Sequence, residues 1–458
     1  MSIHENSDVR VPINLDSLSI KREDAKCVLC GNCRSVCKYS QGVYGRYDLA
    51  ETDDYAICID CGQCANVCPT KAICEVKDYL ELKKIIRNPE YTFVFETAPS
   101  VRVAIGEEFG MEAGSFAEGQ MITALRKLGA HYVLDTVAGA DLTVMEEANE
   151  LLERMENEES LPMFTSCCPA WVKFVEIFYP EILPNLSTCK SPILMEGALV
   201  KTYFSTQLHL DAEKIKHVAV TPCTAKKAEI KREEMKISSN ELMEFRDVDF
   251  VITTRELASW IQEEKIDFLS LEESKYDSLL GEATGAGLLF GSTGGVMEAA
   301  IRTAYFYVTG EKLEQIEFEN LRGFNGIKEA KVMLGDIELS VAVVTGTNNA
   351  HKFLELVKKG EKKYDFVEVM ACVGGCIAGG GQPRVKEPMS MEEKEKRSAA
   401  LYAKDKVLEK RCSYENSEIQ QLYNTYLRKP GSPLAHKLLH TSYTSKKDLL
   451  HKHVKVNN

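Results

Sequence analysis

Eight cysteines near the N-terminus repeat one spacing twice, and this repeat constrains the fold more than any other feature of the chain. The first run is Cys27, Cys30, Cys33 and Cys37, and the second is Cys58, Cys61, Cys64 and Cys68. A doubled C-x2-C-x2-C-x3-C spacing is typical of small domains that hold two 4Fe–4S clusters, in which the fourth cysteine of each run ligates the other cluster. We therefore expect one cluster on Cys27, Cys30, Cys33 and Cys68, and a second on Cys58, Cys61, Cys64 and Cys37. Zinc knuckles and disulfides are the alternative interpretations, and the doubled order disfavours both.

Charge and composition exclude several classes of function. The 458 residues carry a net charge of −13, which argues against nucleic acid as a partner. The sequence contains no apolar run of membrane-spanning length, and its N-terminus has no signal-peptide pattern. Sixteen cysteines in such a chain indicate metal binding in a reducing compartment, so we expect a cytoplasmic protein. Residues 17–47 contain six basic and two acidic residues, an excess of positive charge. This excess indicates either an ordinary solvated surface or a docking patch for an acidic electron carrier.

The distribution of cysteine, charged and apolar residues along the sequence predicts five segments. Residues 1–24 read as a loose arm, 25–80 as the two-cluster module, and 81–91 as a linker helix. The pattern of a short charged helix begins slightly earlier and covers 78–90. Residues 92–388 alternate short β-branched runs with helical stretches such as Leu142–Met155, which indicates α/β layers with largely parallel sheets in two lobes. Residues 389–458 form a charged, helical C-terminal extension. The predicted strands are Val101–Ile105, His131–Leu134, His217–Val220, Phe250–Thr253, Val341–Thr345 and Phe366–Met370.

A second set of cysteines follows the predicted strands. Cys167 and Cys168 precede Pro169, Cys223 follows one strand, and Cys372 and Cys376 follow another. Because sites in open α/β sheets form beyond the carboxyl ends of the strands, these loops are expected to converge on one site. Four thiolates from three loops could hold a third cubane cluster, although buried structural cysteines are the alternative. Cys74, Cys189 and Cys412 have no partner at ligand spacing and are interpreted as structural.

The segments TSCCPAW, TPCTAKKAE and EVMACVGGCIAGGGQP resemble the three signature segments of the iron-only (FeFe) hydrogenases. The resemblance runs from residue 25 to about 441 and also includes TAPSVRVAIGEEFG and GLLFGSTGGVMEAA. It implies a fold of mixed α+β and α/β class: a two-cluster ferredoxin-like module, a two-lobed α/β catalytic domain and a helical C-terminal strap. It also implies an H-cluster, which is a 4Fe–4S cubane joined to a two-iron unit with carbon monoxide, cyanide and a bridging azadithiolate. Cys168, Cys223, Cys372 and Cys376 would hold the cubane, and Cys376 would bridge to the two-iron unit.

The same resemblance assigns further residues to the site. The expected pocket-lining residues are Ala98, Pro99, Ser100, Thr221, Pro222, Lys226, Phe290 and Met370, and the ammonium of Lys226 would interact with a cyanide ligand. The expected proton relay runs outward in the order Cys167, Glu150, Ser187, Glu147 and Arg154. Two positions depart from the common pattern: Thr221 replaces a methionine, and Ile193-Leu194 replaces a polar glutamine pair.

The resemblance implies an enzyme that interconverts H2 with two protons and two electrons, and that exchanges electrons with ferredoxin or flavodoxin. It also implies maturation proteins that install the two-iron unit, and we expect a monomer that binds neither nucleic acid nor membrane. An H2-sensing or iron–sulfur assembly protein with the same fold is the alternative. A plain multi-cluster electron carrier would explain the N-terminal module but not the pocket residues.

Overall fold

The computed structural model describes residues 9–240, 243–385 and 390–451. Its strands are β1 (Ile20–Arg22), β2 (Ile73–Glu75), β3 (Thr92–Thr97), β4 (Tyr132–Asp135), β5 (Met163–Phe164), β6 (Ile215–Thr221), β7 (Lys236–Asn240), β8 (Met243–Arg246), β9 (Phe250–Thr253), β10 (Ile327–Leu334), β11 (Ile337–Thr345) and β12 (Phe366–Met370). Its first helices are α1 (Asn32–Ser35), α2 (Gln63–Asn66), α3 (Tyr79–Ile85), α4 (Pro99–Arg102), α5 (Glu118–Leu128), α6 (Thr136–Asn157), α7 (Pro169–Phe178), α8 (Pro192–Leu199) and α9 (Ser205–Gln207). The remaining helices are α10 (Ala225–Glu229), α11 (Thr254–Glu263), α12 (Gly285–Leu289), α13 (Gly295–Thr309), α14 (Thr347–Lys358), α15 (Glu392–Val407), α16 (Ser417–Leu422) and α17 (Pro433–Leu439).

The N-terminal module repeats one unit around its cysteines. Each run places a glycine with positive φ, Gly31 or Gly62, directly before a one-turn helix that carries the third cysteine. Strand β1 pairs antiparallel with β2, from Ile20 opposite Glu75 to Arg22 opposite Ile73. The prediction of a loose arm is therefore wrong for residues 9–24, because the module needs this strand to close its small sheet and bury Ile20. Residues 1–8 lie outside the described part of the chain.

Two four-stranded sheets form the body of the molecule. The first has the order β4-β3-β6-β9 and is wholly parallel. The second has the order β10-β11-β12-β5, in which only β10 runs antiparallel. Parallel sheets require cover on both faces, and helices supply it. On the first sheet, α3, α5 and α11 pack on one face and α6 and α8 on the other. On the second sheet, α7 and α14 pack on one face and α6 and α13 on the other.

Several predicted elements differ from those observed. The run Val101–Ile105 is not a strand: residues to Arg102 belong to α4, because Pro99 starts a helix with its fixed φ. The linker helix is α3, which ends at Ile85 and does not reach residue 91. Tyr79 and Leu82 of this helix are buried in the core of the first sheet, so it packs as part of the body. The predicted boundary at residue 388 lies outside the described residues.

The C-terminal extension packs closely on the body. The guanidinium of Arg397 on α15 is buried, donates to Glu107 at 2.7 Å and to the carbonyl of Ile377 at 2.9 Å. Near α17, the backbone of Thr441 donates to the carbonyl of Thr188, and Lys190 donates to that of Leu439. Among the described residues, no helix is both long and apolar enough to cross a membrane.

Candidate active site

The carboxyl ends of strands from both sheets open onto one cavity, which buried residues line. The loops that follow β3 and β6 come from the first sheet, and those that follow β5 and β12 come from the second. Every pocket residue expected from the resemblance lines this cavity, namely Ala98, Pro99, Ser100, Thr221, Pro222, Lys226, Phe290 and Met370. So do the thiols expected there: Cys167, Cys168, Cys223, Cys372 and Cys376.

The thiols of this cavity are surrounded as sulfur ligands of a metal cluster require. The backbone N–H of Ala371 donates to Cys168 Sγ at 3.4 Å, and the side-chain amide of Gln63 donates to Cys372 Sγ at 3.2 Å. Burial raises the pKa of the Cys223 thiol to about 12. Such thiols ionise only when a bound cation compensates their charge, which is the behaviour of cluster ligands.

Glycine backbone brings the loops together around the cavity. At Gly375, whose φ is +82°, an added Cβ would lie 2.7 Å from the backbone nitrogen of Thr293, and at Gly379 it would collide with the carbonyl of Pro222. The loop that carries Cys372 and Cys376 can therefore approach its neighbours only without side chains at these positions.

Lys226 supplies a fixed positive charge at the cavity wall. Burial alone would lower its pKa, but the Glu229 carboxylate, 2.8 Å from its Nζ, keeps the pKa above the ordinary value. The same ammonium donates to the backbone carbonyl of Cys167 at 3.1 Å. Ser191 donates to Glu229 at 3.1 Å, so the ion pair is held from behind. The arrangement can bind an anionic ligand of a cofactor.

The two departures from the family pattern lie at this wall. The hydroxyl of Thr221 donates to the carbonyl of Cys223 at 3.1 Å and accepts from its N–H at 3.3 Å. It therefore stabilises the turn that carries Cys223, one of the expected cluster ligands. Ile193 lines the cavity directly, whereas Leu194 packs in the apolar cluster behind it.

The residues of the predicted proton relay lie together, but their order is not the predicted one. Ser187 Oγ donates to Glu150 Oε2 at 2.8 Å, and Arg154 donates to Glu150 Oε1 at 2.7 Å. Glu147 is wholly buried. Burial raises the pKa of the Cys167 thiol, and the negative charge of Glu147 raises it further, so the two groups lie near each other. The order from the cavity outward is thus Cys167, Glu147, Ser187, Glu150, Arg154. The two glutamates exchange places because α6 begins at the cavity, so its earlier residue lies deeper.

Burial gives Glu147 an unusual proton affinity. Desolvation, followed by the nearby Glu150 charge, raises its pKa to about 8, although the Ser187 hydroxyl opposes the rise. Within the described residues, neither carboxyl oxygen of Glu147 has a hydrogen-bond partner. A carboxyl in this state can both accept and release a proton near neutral pH.

The cysteines of the N-terminal module form two groups. Burial raises the pKa of the Cys33 thiol, and the thiols of Cys30 and Cys68 add to the rise. Burial also raises the pKa of the Cys64 thiol, and the charges of Cys58, Cys37 and Cys33 add to this rise. Backbone N–H groups donate to Cys33, Cys58 and Cys68 Sγ at 3.3 to 3.5 Å. Cys27 is half-buried and Cys30 is exposed, so the first group lies nearer to solvent than the second.

The second group adjoins the cavity. Burial raises the pKa of the Cys61 thiol, and the charge of the nearby Cys372 thiol raises it further. Asn66 donates to the carbonyl of Gly379 at 3.0 Å, and Thr224 donates to that of Asp60 at 2.7 Å. The module is therefore in direct contact with the loops that carry the cavity thiols.

Several functional positions escaped prediction from the sequence. Thr136 and Ala140, on the first turns of α6, line the cavity, and Gln63 contacts one of its thiols. The start of a helix directly after strand β4 was a usable signal for Thr136. No spacing in the sequence linked Gln63 to Cys372. Cys189 and Cys412, predicted to be structural, are buried away from the cavity, and Cys74 is half-buried.

The fold and the site define a multi-cluster iron–sulfur protein, in which a cysteine-rich module contacts the loops of a buried cavity lined by thiols. Comparison with known protein families gives the same class. Residues 91–380 match the iron-only hydrogenase large subunit, C-terminal domain, residues 391–446 match the iron hydrogenase small subunit, and residues 17–73 match a 4Fe–4S dicluster domain. The chain belongs to the iron-only (FeFe) hydrogenase family.

Individual relatives agree with this membership. Iron hydrogenase 1 from Clostridium pasteurianum is 44% identical over 442 residues, which cover 93% of this chain and 76% of that protein. A solved structure of an apo HydA1 [FeFe]-hydrogenase variant from Chlamydomonas reinhardtii superposes with a TM-score of 0.71 at 38% identity, and covers 81% of this chain and 99% of its own. The cytosolic Fe–S cluster assembly factor narfl from Danio rerio is 30% identical over 79% of this chain and 88% of its own. The cofactors of this chain are accordingly an H-cluster and accessory 4Fe–4S clusters.

Proposed function

We propose that this protein catalyses the reversible interconversion of H2 with two protons and two electrons. One observation carries the proposal: four candidate cluster thiols, the Cys167 thiol and the Lys226 ammonium line one cavity, and an array of acidic and hydroxyl groups lies behind Cys167. A plain electron carrier needs neither the cavity nor that chain. When bound, the H-cluster supplies the open iron position and the basic amine that split or form H2.

The residues around the cavity then handle the protons. Cys167 exchanges a proton with the cavity and with Glu147, whose carboxyl lies next in the chain. Ser187 connects this carboxyl to Glu150, and the half-buried Arg154 holds Glu150 at the outer end. Each group can donate and accept a proton, except Arg154, which holds the Glu150 carboxylate in place.

The module would handle the electrons. We assign Cys27, Cys30, Cys33 and Cys68 to the outer cluster, because Cys30 is exposed. Cys58, Cys61, Cys64 and Cys37 would hold the inner cluster, since Cys61 lies near Cys372. Electrons would pass from the outer cluster to the inner one and then to the cubane on Cys168, Cys223, Cys372 and Cys376. Cys376 would join the cubane to the two-iron unit.

The architecture has a matching division of labour. The two four-stranded sheets act as two lobes, each of which contributes loops to the cavity. Residues 390–451 act as a strap, since their backbone bonds to Thr188 and Lys190 hold the segment that contains Ser187.

The electron partner is proposed to be ferredoxin or flavodoxin. Lys21 and Lys38 are exposed on the module, whereas Lys26 is paired with Glu23 at 2.6 Å and Arg22 with Asp24 at 2.8 Å. The docking patch is therefore smaller than the six basic residues of the sequence imply. We further propose a cytoplasmic monomer whose two-iron unit is installed by maturation proteins.

The test is H2 evolution from reduced viologen, on protein made anaerobically and loaded with a two-iron mimic. Turnover is expected in the parent protein, and Cys167→Ala should abolish most of it while the carbonyl infrared bands persist. Cys412→Ala, which removes a buried thiol outside the cavity, is the matched control and should retain turnover. Absence of turnover in a fully loaded parent protein would refute the proposal.

A role in iron–sulfur assembly is the second candidate, because assembly factors share about 30% identity with most of this chain. The presence of Cys167 at the cavity, beside the buried Glu147, favours the hydrogenase. Transfer of a 4Fe–4S cluster to an apo acceptor protein, measured with the same preparation, would support the assembly role if H2 turnover were absent.

A further inference from the structure

Two wholly buried carboxyl groups, those of Glu96 and Glu196, lie behind the cavity wall and take no part in the relay described above. Glu96 is near the end of β3, and Glu196 is on α8. Each of the two carboxyl groups influences the pKa of the other, so they lie close together. A hydrogen bond between them would require a proton on at least one, since two carboxylates offer only acceptors.

The packing of two helices places this pair. At Gly139 on α6, an added Cβ would collide with the carbonyl of Pro192 and lie 3.2 Å from the Cβ of Glu196. The two helices therefore touch backbone to backbone at this point. Ile193, one turn before Glu196, lines the cavity, so the acidic residue lies one layer behind an apolar wall.

A single hydroxyl connects the pair to the cavity. Thr136 lines the cavity, and its Oγ1 donates to Glu96 Oε2 at 2.9 Å. The other oxygen of Glu96 lies 3.6 Å from Nε2 of His217, too far for a hydrogen bond. That oxygen, both oxygens of Glu196 and His217 Nε2 are buried without a conventional partner within the described residues.

The charges that face the pair come from three neighbouring elements. Burial raises the pKa of Glu96 well above its ordinary value; Lys226 opposes the rise and Asp135 supports it. Burial likewise raises the pKa of Glu196, and the charges of Glu96 and Asp135 add to it. Asp135 is itself neutralised by Arg102, whose guanidinium donates to both of its oxygens.

The imidazole of His217 is neutral. Burial, followed by the charge of Lys201, lowers its pKa to about 3, although Asp249 and the backbone of Asp247 oppose the shift. Lys201 and Asp249 pair at 2.8 Å, and Lys190 pairs with Asp247 at the same distance. The charges within each of these ion pairs cancel locally.

We propose that Glu96 and Glu196 form a second proton-holding site of the catalytic cavity, which takes up one proton through the Thr136 hydroxyl when an electron enters the cavity. Before the electron arrives, the pair shares one proton and carries one negative charge. Afterwards it holds two protons and is neutral, so the added electron is balanced by one proton that Cys167 delivers to the cavity. This inference rests on the proposed function for the entry of electrons. Because the reaction uses two protons and the relay carries them singly, a store beside the cavity keeps the second within reach.

The test is a redox titration at several pH values, on protein that carries its 4Fe–4S clusters but lacks the two-iron unit. The potential of the cluster in the cavity is expected to fall by about 59 mV per pH unit in the parent protein, which is the value for one proton per electron. Glu196→Gln and Thr136→Val should make this potential independent of pH. Thr136→Ser, which retains the hydroxyl, should preserve the slope.

A second readout follows the pair directly. The infrared difference spectrum on reduction should show a new protonated-carboxyl band that disappears in both Glu96→Gln and Glu196→Gln. A flat potential in the parent protein, or an unchanged slope in Glu196→Gln and Thr136→Val, would overturn the proposal. If Glu196→Gln fails to retain iron, Thr136→Val decides alone. None of these measurements needs H2 turnover, so a failure of the proposed hydrogenase activity is distinguishable from a failure of this inference.

Discussion

The side-chain amide of Gln63 donates a hydrogen bond of 3.2 Å to the thiol sulfur of Cys372, although 309 positions separate the two residues. The same amide nitrogen donates to the carbonyl of Ala378 at 2.9 Å, which fixes its orientation. Gln63 lies between Cys61 and Cys64 in the second cysteine run. The contact therefore joins a proposed inner-cluster loop to a proposed ligand of the cubane.

Gln63→Ala is expected to lower the potential of the cubane. A hydrogen bond to a ligating sulfur stabilises the more negative, reduced state of a cluster. Its loss, at about 1 kcal/mol, corresponds to roughly 40 mV for one electron. Redox titration followed by electron paramagnetic resonance measures the shift. Asn66→Ala is the control, because Asn66 donates to the carbonyl of Gly379 and not to a sulfur; an equal shift there would refute the role of the Gln63 bond.

Ser187→Ala should interrupt the proton relay. Its hydroxyl donates to Glu150 at 2.8 Å and influences the pKa of Glu147, so it is the proposed link between the two. Removal of one proton-transfer group costs about 10²-fold in rate. H2 evolution should fall by that factor while the carbonyl and cyanide infrared bands stay unchanged. Ser205→Ala, whose hydroxyl donates to the backbone carbonyls of Lys201 and Thr202, should retain the parent rate. A parent-like rate in Ser187→Ala would remove the residue from the relay.

The direction of catalysis should respond to the protonation of Glu147. Its pKa is raised to about 8, so below this pH the carboxyl is protonated and can pass a proton inward. Above it, the carboxylate is a base that accepts protons from the cavity. H2 evolution is expected to decline as the pH rises through about 8, whereas H2 oxidation should not, and electrode voltammetry across this range measures both.

A neighbouring acid provides the control for that profile. Glu146 is also buried on α6, but Tyr423 and the backbone of Gly431 donate to it and hold it as an acceptor. Glu146→Gln should therefore keep the pH profile, and Glu147→Gln should lose turnover at every pH. An identical profile in parent and Glu147→Gln would contradict the assignment.

Gly380→Ala should separate the module from the catalytic domain. The added methyl group would collide with the carbonyl of Cys61 and lie 2.7 Å from the Cα of Gly62, and neither backbone can yield easily. We expect weaker magnetic coupling between the inner cluster and the cubane, measured by electron paramagnetic resonance. Gly360→Ala, whose methyl group would meet open space, should cost only about 1 kcal/mol of backbone strain and leave the coupling intact.

Reversal of two exposed charges should weaken the docking of an acidic carrier. Lys21→Glu with Lys38→Glu changes the patch by four charge units, and the rate with ferredoxin is expected to fall about tenfold at low salt. The rate with a small viologen should stay unchanged. Lys127→Glu, an exposed charge on α5, is the control. Equal losses with both donors would argue against a docking role for the patch.

Much of this molecule could be predicted from its sequence, and the failures have physical causes. Cysteine spacing predicts the module because ligand geometry is local, and strand Phe366–Met370 is confirmed because its apolar run is short and bounded. The prediction of a strand at Val101–Ile105 is wrong, because a β-branched run is typical of a strand even where Pro99 starts a helix. The order of Glu147 and Glu150 failed because helical spacing shows that they share a face, but not which end of the helix meets the cavity.

The contact at Gly62 has a consequence for how the protein conducts electrons. An added Cβ at this residue would collide with the hydroxyl of Thr224, and Gly380 on the other side leaves equally little space. The module thus packs tightly against the loops of the catalytic domain at this point, and we expect it to stay in place relative to the cavity. Its internal electron step should therefore run at the same rate in thin and in viscous solvent, and only the capture of an external carrier should slow as viscosity rises.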